Sequence, residues 1–336
     1  MPQLTVVMPV YNEAAHLAET IRALVAAVDR SGWSTEVVLV DDGSTDASGD
    51  VALAAAGESL SLRVLRQGNE GRLAARRRGV EAATAELVLL LDGRVRIEPD
   101  ALRFVGERVR AGERLWTGHV HVESDSALGA FWSLLAELAW REYFDDPRTT
   151  RFGAESFDRY PKGTTCFIGP RALLLEAFDA FRSTYADLRH ANDDTPVLRY
   201  LVAREPIHVS PRFACRYTPR ESLRSFFRHS IHRGIVFLDG HGQSESRFFP
   251  AVIAFYPVSA ALVAASLRRP ALLPAAAAAC GIAAAGLGLR AGRTPREVRA
   301  LAMVTPLYAT GHALGMWRGL WLRATGARRQ LDPSGR

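Results

Sequence analysis

Leu87-Val88-Leu89-Leu90-Leu91 puts five apolar residues in a row, and the run ends on Asp92-Gly93. A short run without polar alternation reads as a strand buried on both faces, the kind found inside a parallel sheet. Two earlier runs have the same form. Leu4–Met8 leads into Pro9-Val10-Tyr11-Asn12-Glu13, and Glu36–Val40 leads into Asp41-Asp42-Gly43-Ser44-Thr45-Asp46. Between them Leu17, Ile21, Leu24, Val25 and Val28 recur at helical spacing. Residues 62–65 add a strand, 72–84 a helix, and Pro99-Asp100 opens another helix. Strand and helix alternate at roughly 30 residues per unit, which predicts βαβ units with right-handed crossovers. The expected fold class is α/β with a mostly parallel sheet.

In an open α/β sheet, ligands bind beyond the carboxyl ends of the strands. That edge would collect Tyr11, Glu13, Asp41 and Asp92. Acids there suit a ribose, a base N–H or a metal ion, and three at one edge point to a nucleotide. Downstream, 115–125 is strand-like, 127–144 is helical and rich in aromatics, and 145–163 is loop-like. Thr164–Ile168 reads as a strand, 171–178 as a helix, and Asp193-Asp194 stand ahead of a helix near 195–203.

The net charge is +6, and Lys162 is the only lysine. Arginine suits bidentate phosphate contacts. No run interleaves arginine with aromatic residues, so a nucleic-acid partner is not expected. Cys166, Cys215 and Cys280 are far apart and form no C-x-x-C, which argues for a reducing compartment and against structural zinc. The first residues lack the basic region of a signal peptide.

Composition shifts near residue 248. Phe249–Leu267 and Ala271–Leu289 are each 19 residues without a charge, close to the ~20 that a spanning helix needs. Ala300–Trp317 is a weaker third run that carries His312. Arg290, Arg293, Arg296 and Arg299 put the 290–299 loop in the cytoplasm by the positive-inside rule, beside the N-terminal domain. The third run either spans or lies in the interface, with Trp317 and Trp321 at headgroup level. The expected organisation is a cytoplasmic domain over 1–240, a membrane region over 249–320 with two or three apolar helices, and a basic tail over 321–336. The expected location is the cell membrane, multi-pass.

Four motifs together resemble the family 2 glycosyltransferases, the inverting GT-A class. They are Val7–Glu13, Val38–Asp46, Asn69-x-Gly71-x-x-x-Ala75-Arg76 and Leu89–Asp92. Order and spacing agree over about residues 3–105, and more loosely through Gly163–Arg171 and Asn192-Asp193-Asp194. The resemblance implies a GT-A domain that takes a nucleotide-diphosphate sugar, with UDP favoured over GDP. It implies nucleotide-sugar contacts from Pro9, Tyr11, Glu13, Asp41, Arg76 and Asp92. Tyr11 would pack on the base and Asp41 would accept its ring N–H.

The family continues with Asp-x-Asp, whose acids contact the ribose and a divalent metal. This chain has Asp92-Gly93-Arg94. Arginine cannot ligate a cation, so Asp92 alone is left as a weak metal ligand, and dependence on Mn²⁺ or Mg²⁺ is in doubt. Arg94 is instead expected to stabilise the leaving diphosphate. By family position the general base is Asp193, with Asp194 as its neighbour and alternative. Arg228-His229-Ser230-Ile231-His232-Arg233-Gly234 stands where processive members carry Gln-x-x-Arg-Trp; the missing tryptophan argues against a polysaccharide synthase. The acceptor is expected on a membrane lipid or a glycan. The altered triplet leaves a second possibility, a non-catalytic scaffold or binding protein of an envelope-assembly complex, and the membrane spans keep a third, a polysaccharide synthase.

Overall fold

The computed structural model describes residues 1–219, 221–244, 246 and 248–331; residues 332–336 of the basic tail lie outside them. The chain divides into two compact units. The first comprises Met1–Glu123, Ala139–Arg182 and Asp193–Pro219. It begins with β1 (Leu4–Val10), α1 (Ala14–Ser31), β2 (Thr35–Asp41), α2 (Ser48–Ala56), β3 (Ser61–Arg66), α3 (Arg72–Ala82) and β4 (Leu87–Leu91). There follow β5 (Val95–Ile97), α4 (Ala101–Arg110), β6 (Trp116–Val122), then α5 (Ala127–Ala139), whose residues to Leu138 belong to the second unit, and α6 (Arg141–Phe144) and β7 (Thr150–Phe152). After a 3₁₀ turn at Ala154–Arg159 come β8 (Cys166–Pro170), α7 (Arg171–Asp179), α8 (Thr195–Val202) and β9 (Ile207–Tyr217).

The sheet order is β3-β2-β1-β4-β8-β6-β9-β5, with β7 beside β9. β3, β2, β1 and β4 are parallel, as the alternation of strand and helix requires. From there β8 runs antiparallel to both β4 and β6. Pro9 lies inside β1, in register with Val40, rather than in the turn after it. Thr164 and Thr165 precede their strand instead of belonging to it, and the stretch 145–163 holds β7 and the 3₁₀ turn.

The parallel half is apolar on both faces because helices cover both. Leu4, Val6, Met8, Leu89 and Leu91 pack with Leu17, Ile21 and Leu24 of α1. On the opposite face Val38 and Val40 meet Ala75 of α3. Each buried leucine or valine of this kind contributes about 1.5–3 kcal/mol. α3 lies close to the sheet at Gly79, where a Cβ would stand 2.3 Å from Val7 Cγ1. His119 of β6 is buried against Tyr143, its Nδ1 2.8 Å from the phenol oxygen. Burial, with His121 beside it, holds the His119 ring down to about 4.

The second unit comprises Ser124–Leu138, Ser183–Asn192 and the chain from Arg220 onward. It contains α9 (Leu223–His241), α10 (Phe249–Ser266), α11 (Leu272–Arg290) and α12 (Pro295–Leu331). α5, the segment 183–192 and α9 therefore group with the apolar helices, through aromatic and polar side chains. Phe131 and Trp132 of α5 meet Phe226 and Tyr308 at ring separations of 5.2–5.8 Å. Asp239 of α9 accepts hydrogen bonds from Ser183, from the Thr184 backbone and hydroxyl, and from the Asn192 backbone, at 2.7–3.0 Å.

Among the described residues, α10 and α11 are long and apolar enough to cross a membrane, with only 11% and 17% of their residues buried. The third apolar run lies inside α12. Its Ala300, Leu301, Val304 and Met316 are buried, and α12 fits against α9 at glycine. A Cβ at Gly234 would stand 2.1 Å from the His312 carbonyl oxygen, and one at Gly315 would stand 2.0 Å from that of Ile231.

Candidate active site

The carboxyl edge of the parallel strands carries two groups of acids, held in different ways. The first group stands after β1 and β2. Ser44 N–H donates to Asp41 Oδ1 at 2.8 Å, closing the turn on its own aspartate. Asn12, the one non-glycine residue with positive φ among the described residues (55°), accepts from the Thr45 backbone at 2.8 Å and receives Ser44 Oγ on its own N–H at 3.0 Å. Asp46 accepts from the first N–H of α1, that of Ala14, at 3.1 Å. These bonds lace the two turns together, a local reason for the strained Asn12 backbone. Asp42 accepts from Gln67 Nε2 and from the backbone of Glu70 and Gly71 at 2.8–2.9 Å. Pro9 is buried within the sheet, whereas the Tyr11 ring is 47% exposed beside these turns.

The second group surrounds Arg76. This side chain is 1% exposed, unusual for arginine. Its Nη2 meets Asp92 Oδ1 at 2.7 Å; its Nη1 meets Asp193 Oδ2 at 2.5 Å and Asp194 Oδ1 at 3.3 Å. Arg72, one helical turn earlier on α3, meets Asp193 Oδ2 at 3.2 Å. Arg77 and Arg78 point elsewhere, to Glu81 and Asp179 and to Gln67. Two guanidiniums thus face three carboxylates, one negative charge in excess when all are ionised. Burial pushes the Asp193 carboxyl up, against the pull of Arg72 and Arg76. Burial also opposes ionisation of Asp194, but Arg76, Arg72 and Thr164 together hold that carboxyl below its ordinary range. Asp193 raises the Arg72 guanidinium in turn.

Arg94 belongs to neither group. Its Nε lies 2.5 Å from Glu13 Oε2, and both side chains are mostly buried. A salt bridge therefore links the altered third position of the Asp-Gly-Arg triplet to the end of the first motif. Position 94 is thus engaged by Glu13, and Asp92 by Arg76. Among the described residues no three His, Cys, Asp or Glu side chains are arranged to hold a metal ion.

The sites expected from sequence thus fall into two sets. Arg76, Asp92, Asp193 and Asp194 converge; Tyr11, Glu13 and Asp41 stand with the first turns. Sequence reasoning missed Arg72, Thr164 and Asp42. Arg72 was discernible from its i, i+4 relation to Arg76, and Thr164 from its place after Gly163.

Three comparisons bear on this geometry. The model of the family described as Glycosyl transferase family 2 matches residues 5–176, half of the chain. The undecaprenyl-phosphate 4-deoxy-4-formamido-L-arabinose transferase of Pseudomonas aeruginosa strain LESB58 is 37% identical over 139 residues. That match covers 40% of this chain and 41% of the relative's length. The enzyme of the same name from Salmonella paratyphi A is 34% identical over 102 residues, 30% of this chain and 31% of that one. Among solved structures, S. aureus TarS 1-349 in complex with UDP-GlcNAc aligns with a TM-score of 0.53 at 16% identity, over 97% of this chain and 92% of that one. The mannosyltransferase PcManGT from Pyrobaculum calidifontis, in complex with GDP-Man and Mn²⁺, aligns with a TM-score of 0.50 at 21% identity, over 99% and 88%. At such identities the structures speak for the fold, which is GT-A. With the motif order, the sheet and the family match in agreement, this chain belongs to glycosyl transferase family 2.

Proposed function

We propose that the protein is an inverting glycosyltransferase that moves a sugar from a nucleotide-diphosphate donor, UDP before GDP, to a membrane-associated acceptor, with Asp193 as general base. The observation that carries the reading is the buried cluster of Arg72, Arg76, Asp92, Asp193 and Asp194. Tyr11 and Asp41 take the base, and Asp92 takes the ribose side of the donor. The acceptor oxygen attacks the anomeric carbon on the face opposite the diphosphate. A new C–O bond forms, the C–O bond to phosphate breaks and the nucleoside diphosphate leaves, while the acceptor's proton, for a polyprenyl phosphate the P–OH proton of its singly ionised form, passes to Asp193. Arg94, fixed by Glu13, and the half-exposed Arg72 supply positive charge for the leaving group. Because position 94 is an arginine and the remaining acids bind guanidiniums, transfer proceeds without a divalent cation.

The relatives are named for undecaprenyl phosphate, and the exposed α10 and α11 suit a lipid acceptor, so a polyprenyl phosphate is the acceptor class we favour. The catalytic unit is then cytoplasmic, on a protein anchored by a two-helix hairpin. A thermal-shift panel of UDP, GDP, CDP and dTDP sugars, with Mn²⁺ or with EDTA, selects the donor. Transfer to undecaprenyl phosphate by Asp193→Asn then tests the base: donor binding should persist and turnover should vanish. Turnover that collapses in EDTA and returns with Mn²⁺ would sink the metal-free mechanism. A chain that binds no donor from the panel and hydrolyses none would be a scaffold instead.

A further inference from the structure

Asp193 and Asp194 are adjacent, both reach Arg76, and sequence position alone separates them poorly. The fold treats them differently. Asp194 immediately precedes α8, yet its carboxylate caps no N–H of that helix. It turns instead to Thr164, whose backbone N–H donates to Asp194 Oδ1 at 3.3 Å and whose hydroxyl donates to the same oxygen. Thr164 is fully buried, and the corner that carries it is tied on both sides. The Thr165 carbonyl accepts from the Asp92 N–H at 2.9 Å, and the Gly163 carbonyl accepts from the Thr117 hydroxyl at 3.3 Å. Thr164 therefore cannot follow Asp194 if that side chain moves. The Asp193 contacts are of another kind, guanidinium N–H groups from Arg72 and Arg76.

We propose that Thr164 is a positioning residue that decides which of the two adjacent acids exchanges protons: it holds Asp194 ionised against Arg76 and so leaves Asp193 to take the acceptor proton. This rests on the base role given to Asp193 above. Hydrogen bonds donated to a carboxylate favour its charged form. Two neighbouring carboxylates repel, so a proton that enters the pair settles on the one whose charged form is held less well; burial works against the charge of Asp193, while Thr164 adds to the hold on that of Asp194. The charged groups facing the pair are Arg72 and Arg76 of α3 and Asp92 at the end of β4, and Tyr217 at the end of β9 acts on Arg72. Thr164 is a neutral donor to Asp194 that a conservative change can remove. The productive form has both carboxylates ionised. Strengthening the hold of Asp194 on a proton therefore moves the acid limb of kcat to higher pH.

The test uses the full chain in detergent, the nucleotide sugar selected by the thermal-shift panel, and undecaprenyl phosphate. Thr164→Val should lower kcat by roughly tenfold or more with the donor KM unchanged. It should also move the acid limb of kcat upward by about one pH unit. Thr164→Ser, which keeps the hydroxyl, should restore both. A Thr164→Val enzyme with the parent profile overturns the proposal, and so does a Thr164→Ser enzyme no better than Thr164→Val, because the loss is then one of packing. Asp193→Asn is run in parallel. If it turns over normally, the base assignment fails whatever Thr164 does; if it is inactive while Thr164→Val is normal, only the role of Thr164 fails.

Discussion

The two acid groups on one sheet edge make a useful contrast. Asp41, Asp42 and Asp46 are held by backbone N–H groups, hydroxyls and an amide, all neutral. Asp92, Asp193 and Asp194 are held chiefly by guanidiniums. Neutral donors shape a turn and leave the charge of a carboxylate unmatched. Guanidiniums match the charge and make the acids and arginines one electrostatic unit, in which a change to any member is felt by the rest. In the function proposed above, recognition and chemistry use the same residue type and differ in what holds it.

The contrast can be broken most severely at its centre. Arg76→Ala leaves three acids around an empty guanidinium site and should cost about 3–5 kcal/mol, read by chemical unfolding, with loss of transfer. The counterpart in the neutral group, Asp42→Ala, strands the donors of Gln67, Glu70 and Gly71 and should cost about 1–3 kcal/mol. A drop in donor affinity at a smaller loss of stability would mark it as a recognition change; equal losses for the two variants would erase the distinction.

Stability against pH sharpens the comparison. His119 has its ring held down to about 4, so the unfolded chain takes up a proton that the fold refuses. The His119 contribution to stability should fall as pH drops from about 6.5 towards 4, by at most about 1.4 kcal/mol per pH unit, and His119→Phe should reduce the slope by that share. The lowered Asp194 contributes stability that is present above its unfolded value and lost at still lower pH, so the two losses are separable in one titration. A smaller effect than at Arg76 is expected at the margin of both groups. Arg94→Gln leaves Glu13, a mostly buried carboxylate, without its cation and should cost on the order of 1–3 kcal/mol. Bond cleavage in a single turnover should slow in that variant, with nucleotide release no slower, if Arg94 serves the leaving group.

Much of the parallel half was legible. β1, β2 and β4 are runs of apolar residues ending in acids, and nothing competes with that pattern. β7 was not legible, because Thr150-Arg151-Phe152 is too short to display a period. β9 was hidden by Ser210-Pro211 in its middle, where its register against β6 shifts. α9 carries arginines and histidines on a helix that also packs on α12 through Gly234, and a scan for composition sees the charge rather than the packing. Within the site, motif order pointed to Asp92, Asp193 and Arg76. Arg72 and Thr164 could be picked out by their places beside Arg76 and Gly163, but their partners could not, since the Thr164–Asp194 hydrogen bond joins residues thirty positions apart and leaves no local trace.

The Glu13–Arg94 pair also bears on the paths open to this chain in evolution. Restoring an acid at position 94 would remove the cation from Glu13 and set a further carboxylate beside an edge already one negative charge in excess. Removing Glu13 first would leave Arg94 a poorly matched cation in a mostly buried place. Either single step is uphill, so position 13 helps to hold the Asp-Gly-Arg triplet in place.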